Sequence, residues 1–127
     1  MNDRKEFWSE ELEAIRKAVR GDGSIKTTFH CEVRMSERGY NDLDIALVLL
    51  TGTIIFGYSG MENRKRKSKV SDTFPGPTRE ILGRNTKGNW LVVVVSILSS
   101  NCFEVVTCFS PQSEKYQRFL ENCKKDI

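Results

Sequence analysis

The order of hydrophobic and polar positions divides the chain into a helical first part and a strand-rich second part. Between residues 6 and 50, apolar side chains recur at helical spacing. This spacing predicts three helices, over residues 6–20, 28–37 and 43–50. Gly39 is expected to end the second helix, and Asn41 or Asp42 to cap the third.

The same periodicity predicts which helix faces are buried. On the second helix we expect Phe29 and Val33 to pack against a sheet. On the third helix the face expected in the core is formed by four apolar residues, Leu43, Ala46, Leu47 and Leu50.

From Thr53 onward, β-branched and aromatic residues form short runs separated by turn residues, a pattern typical of strands. Four strands are predicted, over residues 53–58, 79–84, 90–98 and 103–109. Turns are expected at 85–89 and 99–101, and a last helix over residues 113–124 with Ser113 as its cap. The predicted fold is α+β, with N-terminal helices, an antiparallel sheet of about four strands and a C-terminal helix, and with the helices on one face of the sheet.

Length and composition are those of one ordinary globular domain. The chain has 127 residues, of which 39% are hydrophobic and 29% charged, and its net charge is +3. We expect residues 1–26 to be an N-terminal helical extension and residues 27–127 to be a single α+β domain. The sequence shows no apolar run of membrane-spanning length and no C-x-x-C pair among its four cysteines. These features predict a cytoplasmic protein with reduced thiols and no contact with membranes.

The stretch FHCEVRMSERGYNDLDI, residues 29–45, contains the only histidine. On a helix, His30, Arg34 and Arg38 share one side, because residues four apart are neighbours. An imidazole beside two guanidinium groups suits a phosphate ester, since arginine binds phosphate oxygens in pairs and histidine exchanges protons near neutral pH. The alternative is the solvated side of an amphipathic helix, with Glu37 paired to Arg34 or Arg38.

Two separated motifs carry a resemblance to a known family. Residues 30–39 read H-x-x-x-R-M-x-x-R-G, and residues 105–111 approximate V-x-T-x-Y-x-P. Together they resemble a small bacterial domain family related to the RelE, ParE and BrnT toxins, over about residues 27–111. The resemblance implies the fold of the barnase-like, colicin-like and RelE-like ribonucleases.

The resemblance also implies an activity, a metal-independent endoribonuclease that cleaves RNA through attack by the 2′-hydroxyl. His30 would be the general base or acid. Arg34, Arg38 and Arg84 would hold the phosphate, and Thr107 would add a hydrogen bond. No metal or cofactor is implied, and the implied partners are RNA and an antitoxin or other regulatory protein.

One departure favours a different function. Phe109 stands where the family pattern has a tyrosine, so a phenolic donor is missing there. The alternative is therefore a non-catalytic relative that binds nucleic acid or a partner protein through the same surface.

A dense basic run adds a second candidate for nucleic-acid contact. It consists of Arg64, Lys65, Arg66, Lys67 and Lys69, within a polar stretch rich in Gly, Ser and Pro. Such a run can neutralise nucleic-acid phosphates, or it can be a solvated loop tip. The sequence leaves both interpretations open.

Overall fold

The structure, a computed structural model, describes residues 5–58 and 77–125 of the chain. After a short 3-10 turn come four α-helices: α1 (Trp8–Val19), α2 (Phe29–Arg38), α3 (Asp42–Thr51) and α4 (Glu114–Lys125). The strands are β1 (Ser24–Thr27), β2 (Thr53–Tyr58), β3 (Thr78–Arg84), β4 (Trp90–Ser99) and β5 (Cys102–Phe109). None of the helices in these two ranges is long and apolar enough to cross a membrane.

The five strands form one mixed sheet with the order β1-β5-β4-β3-β2. Antiparallel pairing joins β2 to β3, β3 to β4 and β4 to β5, as predicted. Strand β1 pairs in parallel with β5, with Ser24 opposite Cys102 and Thr27 opposite Val105. The α+β class is confirmed, whereas the prediction of four purely antiparallel strands is wrong because it omitted β1.

Helices cover both sides of the sheet, so the expectation that they lie on one face is also wrong. Leu91, Val93 and Val95 of β4 point into one core, together with buried side chains of α1, α2 and α3. Val92 and Val94 point to the opposite side, into a second core with α4. We call these two sides the three-helix face and the α4 face.

Helix α2 has the predicted position but buries a different side. The Thr28 Oγ1 accepts a hydrogen bond from the Cys31 N–H at 3.1 Å, and Gly39 ends the helix with φ 78°. Cys31 and Met35 are buried against β5, while Phe29 is 80% exposed. The predicted burial of Phe29 and Val33 is therefore wrong, because the side of α2 that meets β5 is the one that carries Cys31 and Met35.

Helix α3 also turns a different side to the core than the one predicted. Ile45, Val48 and Leu49 are buried, whereas Leu43 is 70% exposed. The helix is apolar around most of its circumference, so its pattern could not single out one face. Asp44 anchors the orientation, since its carboxylate turns inward and binds Thr86.

Helix α1 is joined to the same core and not only to its neighbours in sequence. Four of its residues are buried there: Trp8, Leu12, Ile15 and Ala18. Arg79 of β3, which is almost fully buried, binds both carboxylate oxygens of Glu11, at 2.6 and 3.0 Å. Helix α1 and strand β1 both lie in the segment expected to be a helical extension, and both contribute to the folded unit.

Candidate functional site

The predicted stripe of His30, Arg34 and Arg38 lies on the outer side of α2. His30 is exposed and makes no hydrogen bond or ion pair with any described residue. Arg34 forms an ion pair with Glu37 at 3.4 Å between half-exposed side chains. This pair is the one that the amphipathic-helix alternative expected, and such exposed pairs contribute little to stability.

Arg38 is held differently from Arg34. Its Nη1 donates a hydrogen bond to the main-chain carbonyl of Cys108, near the end of β5. Within the described ranges, Arg38 has no carboxylate partner. The guanidinium group is therefore fixed at the end of the sheet while its charge remains available to an anion.

Arg84 lies at the same end of the sheet, where β3 finishes. Its Nη1 donates to the Gly88 carbonyl at 3.2 Å, and its guanidinium carbon lies 4.3 Å from the centre of the Trp90 ring. No acidic side chain in the described part of the chain pairs with it. Trp90 is opposite Arg84 in the register and packs against the core of the α4 face, so Arg84 belongs to that side.

Thr107 is also on the α4 face. It lies opposite Val94, which is part of the α4 core, at a point where the register of β4 and β5 shifts by one residue. The structure thus places His30, Arg34 and Arg38 on the three-helix face, and Arg84 and Thr107 on the other. Of these five residues, Arg38 and Arg84 come to the same end of the sheet.

A cavity of about 360 Å³ opens at that end. It lies among the residues that follow α2, β3 and β5 and the start of α4. We call it the sheet-end cavity. Its lining consists of Tyr40, Asn85, Asn89, Trp90, Ser110, Pro111, Gln112, Gln117 and Leu120. Arg38 and Arg84 are not lining residues of this cavity, but both contact residues close to it: Arg84 lies over Trp90, and Arg38 binds the carbonyl of Cys108, two residues before Ser110.

Asn85 is the most buried polar side chain of the cavity, with 5% of its surface exposed. Its Oδ1 accepts hydrogen bonds from the main-chain N–H groups of Lys87 and Asn89, at 3.0 and 2.9 Å. These two bonds fix the orientation of the amide and hold the turn between β3 and β4. The Nδ2 group of Asn85 has no hydrogen-bond partner among the described residues.

Further polar groups face the cavity with part of their capacity unused. Gln117 donates its Nε2 to the Pro111 carbonyl at 2.7 Å, and Gln112 donates its Nε2 to Ser110 at 3.2 Å. In both residues the Oε1 oxygen accepts no hydrogen bond from the described residues. The cavity therefore presents a fixed amide donor and two carbonyl acceptors.

Tyr40 provides a second donor. Burial raises the pKa of its phenol, and the nearby Cys108 raises it further, although Arg38 acts in the opposite direction. The phenol consequently keeps its proton at neutral pH. Its hydroxyl makes no hydrogen bond with another residue of the described ranges, so it too is available to a ligand.

Two buried free thiols lie beneath this region, Cys31 of α2 and Cys108 of β5. A hydrogen bond between them raises the pKa of Cys31 and lowers that of Cys108, and Arg38 lowers both. Among the described residues, no group of three or more His, Cys, Asp or Glu side chains is placed to hold a metal ion.

Phe109, the residue that departs from the family pattern, is a packing residue. Its ring meets Tyr116 of α4 edge-on, with the ring centres 5.6 Å apart. Tyr116 in turn donates its hydroxyl to Glu80. Phe109 therefore helps to attach α4 to the sheet.

Sequence reasoning missed most of the cavity and placed some candidates elsewhere. The walls of the cavity come from separate segments of the chain, and no spacing in the sequence relates Tyr40, Asn85, Trp90 and Gln117. The turn at 85–89 was recognised only as a turn. The basic run Arg64, Lys65, Arg66, Lys67 and Lys69 lies outside the described residues.

Comparison with known proteins finds one relationship. No curated protein and no solved structure matches the chain. A family model described as a domain of unknown function, DUF4258, matches residues 27–109, from the end of β1 to the end of β5. The match covers the α2 stripe, Arg84 and four of the nine residues that line the sheet-end cavity. Since it spans more than half of the chain, the protein belongs to the DUF4258 family.

Proposed function

We propose that this protein binds RNA at the end of the sheet where Arg38 and Arg84 lie. One observation carries the proposal. Both guanidinium groups are held by main-chain carbonyls, and neither is neutralised by a carboxylate of the described residues. Two fixed cations at one end of the sheet suit the phosphates of a nucleic-acid strand.

The proposed setting is the cytoplasm. The modest net charge of +3 is consistent with local recognition and not with wrapping of a long duplex. Kinship with the RelE, ParE and BrnT toxins is part of the proposal and is supported by the two motifs at residues 30–39 and 105–111. A toxin of that kind would have an antitoxin partner, and a small neighbouring reading frame encoding one would support this.

The test is RNA binding by arginine variants. Labelled single-stranded RNA is titrated with wild-type protein, Arg38→Ala and Arg84→Ala over a range of salt concentrations, with fluorescence anisotropy as the readout. We expect each substitution to weaken binding about tenfold and to reduce the salt slope by about one, because each removes one phosphate contact.

Arg20→Ala is the matched control. Arg20 is an exposed arginine at the end of α1 and is paired with Glu13 at 3.9 Å. Arg20 comes just after α1, and the residues that follow it contact the β4–β5 turn. That turn lies at the opposite end of β5 from Cys108. If Arg20→Ala weakens binding as much as the other two, the effect is one of overall charge and the proposed site is wrong.

Ribonuclease activity is the second candidate, and the free imidazole of His30 favours it. In the proposed step His30 takes the proton of a 2′-hydroxyl, whose oxygen attacks the adjacent phosphorus. The bond from phosphorus to the 5′-oxygen breaks, that oxygen takes a proton from solvent water, and a 2′,3′-cyclic phosphate remains. His30 then returns its proton to the solvent. Arg34 and Arg38, one and two turns further along α2, would stabilise the added negative charge.

Cleavage is tested in EDTA with wild-type protein and His30→Ala. We expect the wild type to produce cyclic-phosphate ends and His30→Ala to reduce the rate at least a hundredfold while RNA affinity changes little. If both proteins bind RNA and leave it intact, the protein is a binder and the catalytic role of His30 is excluded.

A further inference from the structure

The sheet-end cavity has a chemistry that phosphate binding by Arg38 and Arg84 does not explain. Phosphate recognition requires cations and N–H donors at the surface. The cavity instead contains a buried amide, two glutamine oxygens, a phenol and an indole ring. These are the groups with which proteins bind the edges and faces of unpaired bases.

We infer that the sheet-end cavity binds one unpaired base of single-stranded RNA. The inference rests on the proposed function and specifies its substrate class. Arg38 and Arg84 would hold the phosphates on either side, and the base between those phosphates would turn into the cavity. A duplex cannot supply this base without breaking a pair.

Asn85 is the strongest evidence for a built site. The residue is 5% exposed overall, and its Nδ2 is not among the fully solvent-shielded side-chain atoms that lack a partner, so this donor group is accessible to a ligand. The two bonds to its Oδ1 prevent the amide from rotating, and its Nδ2 is thereby held as a donor at the cavity wall. A carbonyl oxygen or ring nitrogen of a base would satisfy this donor.

The remaining groups complete the recognition of a base. The Oε1 oxygens of Gln112 and Gln117 can accept from a base N–H or amino group. Trp90 forms an aromatic wall, and the guanidinium of Arg84 lies over its ring. The volume, about 360 Å³, falls at the lower end of the roughly 300–1,000 Å³ range of small-ligand pockets, which suits one base.

The first test uses ligands that differ only in having a base. Nucleoside 5′-monophosphates and ribose 5-phosphate are titrated into ¹⁵N-labelled full-length protein at millimolar concentration. We expect the Asn85 side-chain amide signals to shift with at least one nucleotide and to remain in place with ribose 5-phosphate. If no nucleotide shifts these signals more than ribose 5-phosphate does, the base site is excluded.

The second test uses Asn85→Asp and Tyr40→Phe. Asn85→Asp keeps an oxygen for the turn and replaces the N–H₂ donor, while Tyr40→Phe removes only a hydroxyl that bonds to no described residue. We expect single-stranded RNA affinity to fall about tenfold and about threefold respectively. Affinity for a fully paired duplex should change less than twofold, whereas Arg38→Ala should weaken both RNAs.

The outcomes separate the two proposals. Equal affinity of both variants and the wild type for single strands would overturn the base site and leave RNA binding at the arginines intact. Failure of the wild type to bind any RNA would overturn the proposed function, and the nucleotide titration would then decide the base site by itself. Circular dichroism confirms folding, and Tyr40→Phe remains informative if Asn85→Asp is unstable.

Discussion

Asp44 shows how one residue can determine the position of both a helix and a turn. Its Oδ2 accepts from the Asn41 N–H at 3.0 Å, and the Asn41 side chain accepts from the Asp44 N–H, which forms a capping box at the start of α3. Its Oδ1 accepts from the N–H and the hydroxyl of Thr86, at 3.0 and 2.6 Å. Asp44 therefore ties α3 to the turn that contains Asn85.

The protonation of Asp44 should affect stability at acid pH. Burial by itself would raise the pKa of Asp44, but the hydrogen bonds from Thr86 and Asn41 bring it below its ordinary value of 3.8. A carboxyl whose folded-state pKa is depressed stabilises the protein above its unfolded-state pKa, and this stability is lost as the pH falls through the folded-state value.

We expect Asp44→Asn to lower the free energy of unfolding at pH 7 by about 1–3 kcal/mol, because one accepting oxygen becomes a donor that faces a donor. The difference from wild type should shrink as the pH falls below 3.8, because the carboxyl of the unfolded chain takes up a proton there, whereas that of the folded protein does so only at lower pH. Urea unfolding between pH 7 and pH 3 measures both effects. Asp42→Asn, an exposed change on the same helix, is the control, and a similar loss in it would contradict the prediction.

At the scale of elements, the sequence predicted the features that depend on neighbouring residues. It failed to predict the features that depend on tertiary contacts. Caps and stops are local, so the stop at Gly39 was predicted correctly, and the cap of α3 is Asn41, one of the two residues expected there. Helix α2 begins and ends within one residue of its expected bounds. Strand β1 has only four residues, and it pairs with β5, which is distant in the sequence. The residues around β1 therefore carry no pattern that predicts a strand. The buried faces of α2 and α3 likewise depend on which strand each helix meets.

The predictions for the candidate site divide in the same way, into relations between neighbouring residues and relations that depend on tertiary contacts. Shared helical spacing correctly placed His30, Arg34 and Arg38 on one side of α2, since that relation is local. The position of Thr107 depends on a register shift in β5, which no nearby residue reveals, and this shift puts it on the other side of the sheet. The cavity around Asn85 was not predictable, because tertiary contacts alone bring its walls together.

The contact between α1 and β3 can be tested at the element scale. Glu11→Gln removes the charged carboxylate of Glu11 from its contact with the nearly buried Arg79. We expect a loss of about 2–3 kcal/mol in the free energy of unfolding, slightly below the range for fully buried pairs because Glu11 is 24% exposed. Chemical denaturation measures it. Glu13→Gln instead breaks an exposed pair with Arg20 and should lower the free energy of unfolding by less than about 0.5 kcal/mol. Equal losses in the two variants would contradict the prediction that the buried Arg79 pair is the more stabilising one.

At the scale of the whole molecule, the family match begins at residue 27, but the core includes residues before it. Trp8, Leu12, Ile15 and Ala18 cover a surface formed by α3 and the sheet. Without α1, several large apolar side chains of that surface would face water, and their burial contributes about 25 cal/mol per Å². Helix α1 is thus expected to be required for folding.

A variant lacking residues 1–22 tests this expectation. We expect it to lose cooperative thermal unfolding and the dispersed amide NMR spectrum of the full chain. Leu12→Ala gives the graded comparison and should lower the free energy of unfolding by about 2–4 kcal/mol while leaving the protein folded. If the shortened variant unfolds cooperatively near the wild-type temperature, residues 23–127 form an independent domain and α1 is not required for folding.

The parallel pairing of β1 with β5 also has a consequence for biosynthesis. Strand β5 lies between β1 and β4, so the middle of the sheet is synthesised after α1, α2, α3 and the other three strands. Until β5 emerges, β1 has no strand to pair with, and the apolar side of α2, which packs on β5, remains uncovered. Contacts between such distant segments slow folding and leave nascent chains open to aggregation. A chain with this strand order is expected to depend on chaperones during synthesis more than its small size suggests.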